Sequence, residues 1–162
     1  HIVGCTPEAP TVEVALGGKK PKHEVVITNE DLQNVEATFS DKRDNDKVDF
    51  AMFGCPHFTL EEAQHIAEGV KGKKLAIPMY ILVSSHALQM AQRMGIADVL
   101  AEAGAEIIAD SCPDQPCWHY LKGKVGITES PKCAYYPRRR GIHFIIRDLD
   151  TCIQAALTGE VK

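Results

Sequence analysis

The chain has no long apolar run, no excess of basic residues and few aromatic side chains. Its 162 residues are 44% hydrophobic and 25% charged, and none of its apolar runs approaches the length of a membrane-spanning helix. The 18 Lys and Arg residues against 22 Asp and Glu residues give a formal net charge of −4, which offers nucleic acid no general attraction. We therefore expect a protein that binds neither membranes nor nucleic acid.

Two common kinds of binding site are also missing. No Cys-x2-Cys pair is present, which disfavours a four-cysteine zinc site, and no glycine-rich phosphate loop follows a predicted strand. The six cysteines are nevertheless many for this length. Because they lack the dense spacing of a disulfide scaffold, we expect a reduced, cytoplasmic protein with a few functional thiols.

The sequence begins with His1-Ile2-Val3-Gly4, without an initiator methionine, a charged leader or an apolar signal region. We therefore expect a piece of a longer protein. Its length suffices for one well-buried core, whereas two separate cores would be cramped. We predict a single α/β domain over residues 1–162.

Predicted strands alternate with predicted helices along the chain. The apolar runs predict strands at residues 23–27, 47–53, 75–83, 106–109, 125–127 and 143–146. Capping signals and 3.6-residue periodicity predict helices beginning at Thr6, Thr28, Thr59, Ser85, around Val99 and at about Asp150. This alternation is typical of a three-layer α/β/α domain with a mostly parallel sheet.

Four polar motifs each follow a predicted strand. They are Gly54-Cys55-Pro56-His57, Ser84-Ser85-His86, Asp110-Ser111-Cys112 and Thr128-Glu129-Ser130-Pro131-Lys132. The carboxyl ends of parallel strands lie at one edge of the sheet, where open α/β sheets bind their ligands. The sequence therefore predicts that the four motifs converge on one crevice.

Cys55 and Cys112 each stand in a proline-containing turn just past a strand, which indicates a metal or iron–sulfur site. The alternative is packing, because cysteine is among the most frequently buried residue types. Cys117 is separated from Cys112 by four residues, a Cys-x4-Cys spacing. It either joins the site or has no role in it and simply lies in the loop. Cys152 is predicted to lie in the core, and Cys5 and Cys133 are left unassigned.

The neighbouring polar residues also have two readings. His57 either serves as an acid or base or stabilises its turn, and the amides at the helix start that follows it suit an anion. Lys132 either binds a carboxylate or phosphate or is a solvated lysine. The run Arg138-Arg139-Arg140 is either a solvated face or a contributor to anion affinity.

Together these motifs resemble the catalytic large region of aconitase X, a branch of the aconitase superfamily. The resemblance runs in order over nearly the whole chain, through Gly4-Cys5-Thr6-Pro7-Glu8-Ala9, residues 54–57, residues 110–112 and residues 128–136. The branch contains hydro-lyases, including cis-3-hydroxy-L-proline dehydratases and archaeal phosphomevalonate dehydratases. Because the chain covers only the C-terminal half of that region, the resemblance implies partners: a missing N-terminal half and a small swivelling domain or subunit.

The resemblance also implies an iron–sulfur cluster held by three cysteines, two of which correspond to Cys55 and Cys112. The third would come from the missing half. An iron with an open coordination position would act as a Lewis acid on the hydroxyl that leaves. The chain departs from the family pattern at Cys5, where an aliphatic residue is usual, and in the extra thiols Cys117 and Cys133.

The resemblance further implies a small carboxylate substrate and the residues around it. It places His57, Ser84 and Ser85 in the catalytic group. Candidate substrate-binding residues are His1, Glu8, Ser130 and Lys132. The catalytic base is left open, and the missing small domain is one source for it.

The leading hypothesis is therefore part of an iron–sulfur hydro-lyase that is inactive as an isolated fragment. Two other classes of function stay open. One is a non-catalytic metal or thiol-redox module that uses Cys112 and Cys117. The other is an α/β interaction domain whose cysteines only pack.

Overall fold

The computed structural model describes residues 1–41 and 47–161. Its contacts divide the chain into two compact units, His1–Leu32 and Gln33–Lys162. In the smaller unit, helix α1 spans Val12–Leu16 and is capped by the Thr11 hydroxyl, which accepts a hydrogen bond from the Val14 amide. The helix ends where predicted, at Gly17 in the left-handed conformation (φ 60°).

The predicted start of this helix at Thr6 is wrong. Residues 1–10 form turns, in which the Ile2 carbonyl accepts hydrogen bonds from the Cys5 and Thr6 amides. Pro10 explains the difference, because proline has no amide hydrogen and its ring clashes with the carbonyl four residues earlier in a helix interior. A helix can therefore begin at Pro10 or later, and α1 begins at Val12.

The predicted strand at residues 23–27 is also wrong, because this segment has no regular structure. Val25, Val26 and Ile27 are 71–84% exposed. Their β-branched side chains favour strands by packing on a sheet, and no strand among the described residues pairs with them. Helix α2 (Asn29–Phe39) follows as predicted, and its start has a Thr28–Asp31 pair of reciprocal hydrogen bonds.

The larger unit contains a five-stranded, all-parallel sheet with the order β3-β2-β1-β4-β5. Its strands are β1 (Phe50–Phe58), β2 (Met79–Val83), β3 (Ala105–Ala109), β4 (Val125–Thr128) and β5 (His143–Ile146). The chain builds outward from β1 to β3 and then returns to add β4 on the other side of β1. The gap between the carboxyl ends of β1 and β4 is thus a topological switch point.

Helices cover both faces of this sheet, which confirms the predicted α/β fold class. They are α3 (Leu60–Val70), α4 (Ser85–Arg93), α5 (Ile96–Ala103), α6 (Pro131–Tyr135) and α7 (Leu149–Thr158), with 3₁₀ turns at Pro116–Leu121 and Tyr136–Arg140. The capping box that predicted α3 is present, with the Thr59 hydroxyl 3.2 Å from the Glu62 amide and the Glu62 carboxylate 2.8 Å from the Thr59 amide. Helices α5 and α7 end at Gly104 and Gly159.

Alternate strand residues pack into two apolar cores, one on each side of the sheet. Phe53, Ile81 and Ile127 pack with residues of α3, α5 and α7. Phe50 and Leu82 belong to the second core, together with these residues from beyond the sheet: Trp118, Leu121, Cys133 and Ala134. Strands buried on both faces are apolar throughout, as parallel sheets require.

The motif around Cys55 does not follow β1 as predicted but lies inside it, at an irregularity. The register runs regularly to Phe53↔Ile81 and resumes at Phe58↔Val83, so residues 54–57 stand opposite Leu82 alone. Gly54 has φ 97°, and a Cβ atom there would lie 2.0 Å from the Leu82 carbonyl oxygen. Only glycine fits this contact, and the bulge moves Cys55 and His57 out of the regular ladder.

We predict that Gly54→Ala destabilises the chain by about 1–3 kcal/mol more than Gly104→Ala. Both glycines have a similar left-handed backbone (φ 97° and 100°), which costs an L-residue about 1–2 kcal/mol, but only Gly54 has backbone atoms against its Cβ position. Urea denaturation followed by circular dichroism measures both free energies of unfolding. Equal losses would show that the Leu82 contact does not constrain the bulge.

Candidate active site

The four polar motifs lie together at the carboxyl edge of the sheet. Residues 54–57 form the β1 bulge, Ser84 follows β2, Asp110 follows β3 and Glu129 follows β4. Hydrogen bonds join the bulge to the turns after β3 and β4, and they join the turn after β2 to the turn after β3. The site therefore sits at and beside the switch point between β1 and β4.

His57 links the β1 bulge to the turn after β3. Its Nε2 atom lies 2.7 Å from the carbonyl oxygen of Ser111. A carbonyl only accepts hydrogen bonds, so Nε2 carries the proton, and in the neutral ring Nδ1 is then the basic nitrogen. His57 also stands two residues before Thr59, the N-cap of α3, as predicted.

Ser130 links β1 to the start of α6. Its buried hydroxyl donates to the Cys55 carbonyl and accepts from the Cys133 amide at 3.1 Å. Because the hydroxyl's proton is committed to Cys55, the contact holds the Cys55 backbone in place. The predicted role of Ser130 in substrate binding stays a prediction.

The turns after β2 and β3 are joined through Asp110. Its carboxylate accepts a hydrogen bond from the Ser85 amide at 3.0 Å, and its own backbone is left-handed (φ 52°), which is uncommon for a residue other than glycine. The Ser84 hydroxyl caps α4 by accepting from the Ala87 amide at 3.2 Å. Ser84 and Ser85 are therefore fixed at this edge, with their predicted catalytic roles untested.

Cys55 lies in the β1 bulge and Cys112 lies in the loop that follows β3, and both are free thiols. Cys55 is half-buried and packs against the second core, whereas Cys112 is exposed and its carbonyl accepts a hydrogen bond from the Trp118 indole at 2.9 Å. Burial raises the pKa of Cys55, a negative Cys112 raises it further, and the Lys132 ammonium lowers it. Cys112 and Lys132 thus each lie within electrostatic reach of Cys55.

Two further cysteines and the two N-terminal candidates have surroundings of their own. Cys152 is buried in the first core, as predicted. Cys117 is exposed, with its sulfur 3.9 Å from Oε1 of Gln115. His1 and Glu8 pair with each other in the smaller unit, Nδ1 to Oε1 at 2.9 Å, and both side chains are 56% exposed. Within residues 1–41 and 47–161, no three His, Cys, Asp or Glu side chains are grouped to hold a metal ion.

Glu129 belongs to the motif after β4, but no sequence pattern marks it as a site residue. It follows β4 directly, is half-buried and accepts a hydrogen bond from the Thr128 hydroxyl at 3.3 Å. Burial raises its pKa to about 7, and the negative charge of Glu62 adds to the shift. A carboxyl group with such a pKa gains and loses protons near neutral pH, which is the property of a general acid or base.

These features define an α/β domain with two thiols, an imidazole and a lysine at the carboxyl edge of its sheet. Residues 48–158 match the sequence model of a family described as the aconitase X third domain. The chain therefore belongs to the aconitase X family, as its motifs indicated. The matched residues include all five strands, so the assignment covers the whole sheet.

Known relatives are dehydratases of much greater length. The chain is 31% identical to a cis-3-hydroxy-L-proline dehydratase of Hypocrea jecorina over 98% of its residues and 28% of the relative's. It is 31% identical to the phosphomevalonate dehydratase large subunit of Thermococcus kodakarensis, covering 96% of this chain and 39% of that one. The crystal structure of Thermococcus kodakaraensis aconitase X in its holo-form matches with a TM-score of 0.71 and 30% identity, over 82% of this chain and 34% of the other.

We predict that Glu129 makes the stability of the chain fall between about pH 4 and about pH 8. The folded-state pKa of about 7 lies above the ordinary value of 4.5, so the stabilising contribution is complete below 4.5 and is lost as the pH rises towards 7. The loss is on the order of 2–3 kcal/mol. Glu129→Gln should abolish this loss of stability, whereas Glu102→Gln, at an exposed position on α5, should retain it. Urea denaturation at the two pH values measures the free energy of unfolding of each variant. The same pH dependence in wild type and Glu129→Gln would contradict the assignment.

Proposed function

We propose that this chain forms part of an iron–sulfur-dependent hydro-lyase that removes water from a small hydroxy acid, such as cis-3-hydroxy-L-proline or phosphomevalonate. The observation that carries the proposal is the grouping of Cys55, Cys112 and Lys132 at the carboxyl edge of the sheet. Relatives that match nearly the whole chain are dehydratases, which favours an enzyme over a redox module or an interaction domain.

The donor set fits part of an iron–sulfur site. Clusters are held by cysteine thiolates, and Cys55 and Cys112 are unpaired thiols at the same edge. A single cluster needs more protein ligands than these two supply. We propose that the third cysteine comes from a region outside this chain, consistent with the 28–39% of these relatives' lengths that the chain spans.

When bound, the cluster supplies a Lewis-acidic iron for the departing hydroxyl. In this proposal the ammonium group of Lys132, in the first turn of α6, balances the substrate carboxylate. His57, with its Nε2 proton held by Ser111, offers Nδ1 for proton transfer. Ser84 and Ser85 line the pocket, Ser130 fixes Cys55, and Glu129 is a second group that can carry a proton near pH 7.

The remaining assignments complete the proposal. We place His1 and Glu8 in substrate binding and expect a second protein region, including a small swivelling domain or subunit, to close the site. The isolated chain is then inactive, because it lacks that region. We also propose a cytoplasmic location, supported by six free thiols that a reducing compartment preserves. None of the helices in the described part of the chain is long and apolar enough to cross a membrane.

We predict that Cys55→Ser and Cys112→Ser each abolish iron binding in the full-length protein. Serine is a poor substitute for a thiolate ligand, so anaerobic reconstitution with iron and sulfide should give neither bound iron nor the broad visible absorption of thiolate-to-iron charge transfer. Cys117→Ser, in the same loop as Cys112, is the matched control and should keep both. Full iron content in the first two variants would remove Cys55 and Cys112 from the ligand set.

We predict that Lys132→Ala lowers kcat/KM of the full-length enzyme by at least about tenfold, because loss of a charge-assisted hydrogen bond costs roughly 1.5–3 kcal/mol. The exposed Lys124→Ala changes the net charge equally and should leave kcat/KM within about twofold. Steady-state kinetics with bound iron measured in parallel separates the two effects. Wild-type kinetics in Lys132→Ala with a full iron content would place the substrate carboxylate elsewhere.

A further inference from the structure

We propose that a cleft beside Cys112 is an oxyanion subsite that binds a second anionic group of the substrate. The cleft has a volume of about 490 Å³ and is lined by Asp114, Tyr135, Tyr136, Arg138 and Arg139. That the anion belongs to the substrate rests on the proposed function, whereas the anion site itself rests on the geometry alone. The arginine run is therefore more than a solvated face.

The position of the cleft joins it to the candidate active site. One wall is Asp114, two residues beyond Cys112 in the same loop, and the other wall begins at Tyr135, the last residue of α6. The first turn of α6 carries Lys132. A negative Cys112 contributes to the raised pKa of Arg139, after the larger effect of Asp114, so the thiol and the guanidinium are within electrostatic reach.

Asp114 acts as a brace for two guanidinium groups. The Nε and Nη2 atoms of Arg139 both donate to its carboxylate, and Nε of Arg140 donates to it at 2.9 Å. The two guanidinium groups are therefore held on one carboxylate in the lining of the cleft. Two of the five N–H donors of Arg139 are used on Asp114. The side chain is 68% exposed and lines the cleft, so its other donors are available to a ligand.

The ion pairs between described residues leave this cluster short of carboxylates. Arg138 pairs with Asp41 at 2.7 Å, while Arg139 and Arg140 share Asp114. Among these five described side chains, three guanidinium groups therefore share two carboxylates. A guanidinium that is already held in place loses little conformational freedom when it binds a planar or tetrahedral oxyanion.

The two tyrosines supply further donors. Tyr135 and Tyr136 are 54% and 45% exposed, and their rings pack edge to face with centroids 5.2 Å apart. Tyr135 also packs edge to face on Phe39 at 5.3 Å, which fixes its orientation. Phenol hydroxyls beside a guanidinium are suited to the oxygen atoms of a phosphate or carboxylate.

The subsite specifies a substrate class. A hydroxy acid with its carboxylate near Lys132 and a second anionic group at its far end would occupy both parts of the site. Cis-3-hydroxy-L-proline has one carboxylate and no second anion, so the cleft favours a substrate of the phosphomevalonate kind. A phosphate and a carboxylate share the chemistry that the cleft recognises, and the experiment must separate them.

Three acids with the same hydroxy-acid end test the proposal on the full-length protein. Mevalonate, 3-hydroxy-3-methylglutarate and phosphomevalonate carry a hydroxyl, a carboxylate and a phosphate, respectively, at the other end. Calorimetry should show the tightest binding for one of the two acids whose far end is also anionic, here called the anionic members. Arg139→Gln should raise the Kd of that member at least about tenfold and change the Kd of mevalonate by less than about twofold. Arg93→Gln, an exposed site on α4, is the control with the same change of charge.

Tyr136→Phe is a second variant, for use if Arg139→Gln proves poorly folded. It removes one hydroxyl without a change of charge, and it should raise the Kd of the same acid. Binding of inorganic phosphate, measured by ³¹P NMR, tests the anion site independently of any reaction. Phosphate binding that depends on Arg139, together with no dehydration of any of the three acids or of cis-3-hydroxy-L-proline, would support the subsite and refute the dehydratase. Dehydration with equal effects of Arg139→Gln on all three acids, or none, would refute the subsite alone. The acid with the largest dependence on Arg139 identifies the anion.

Discussion

The close approach of Gly54 to the carbonyl of Leu82 is the contact on which the site depends. It lets four residues of β1 stand opposite one residue of β2, so that the strand leaves the ladder for a short stretch and then returns to it at Phe58. Within that stretch, the Cys55 carbonyl receives Ser130 from the β4 side and the His57 ring reaches Ser111 on the β3 side. A regular β1 would direct these groups into the ladder and leave the two sides of the switch point unconnected.

The site also balances burial against charge. Cys55 is half-buried, which disfavours its thiolate, while Lys132 favours it and a negative Cys112 disfavours it. Two neighbouring thiolates repel each other unless a positive centre lies between them or beside them. The cluster proposed above would supply such a centre, and the arginines around Asp114 are further positive groups in the loop that follows Cys112.

Local signals in the sequence predicted most of the fold. The capping residues Thr28 and Thr59 act within one turn, and the apolar runs of β2 and β5 need only burial on both faces, so these elements follow from short stretches of sequence. The predictions went wrong at Pro10, where a local signal was overlooked, and at residues 23–27, where strand propensity had no partner.

Non-local contacts explain what the sequence did not reveal about the site. The order of the motifs and the parallel fold were enough to bring Cys55 and Cys112 to one edge. The raised pKa of Glu129 depends on its burial after β4 and on the negative charge of Glu62, and the position of Arg139 depends on its hydrogen bonds to Asp114, 25 residues earlier. Neither relationship has a periodicity or spacing that sequence alone displays, because each joins segments whose distance is set by the sheet.

The hydrogen bond from Trp118 to the Cys112 carbonyl gives the protein a built-in optical reporter. This is the chain's single tryptophan; it is buried, and its ring lies 5.1 Å from that of Tyr80. Indole emission responds to the polarity and hydrogen bonding of its surroundings, so the emission wavelength follows the conformation of the loop that carries Cys112. A change in the conformation of that loop should therefore be measurable as a change in intrinsic fluorescence, without an attached dye.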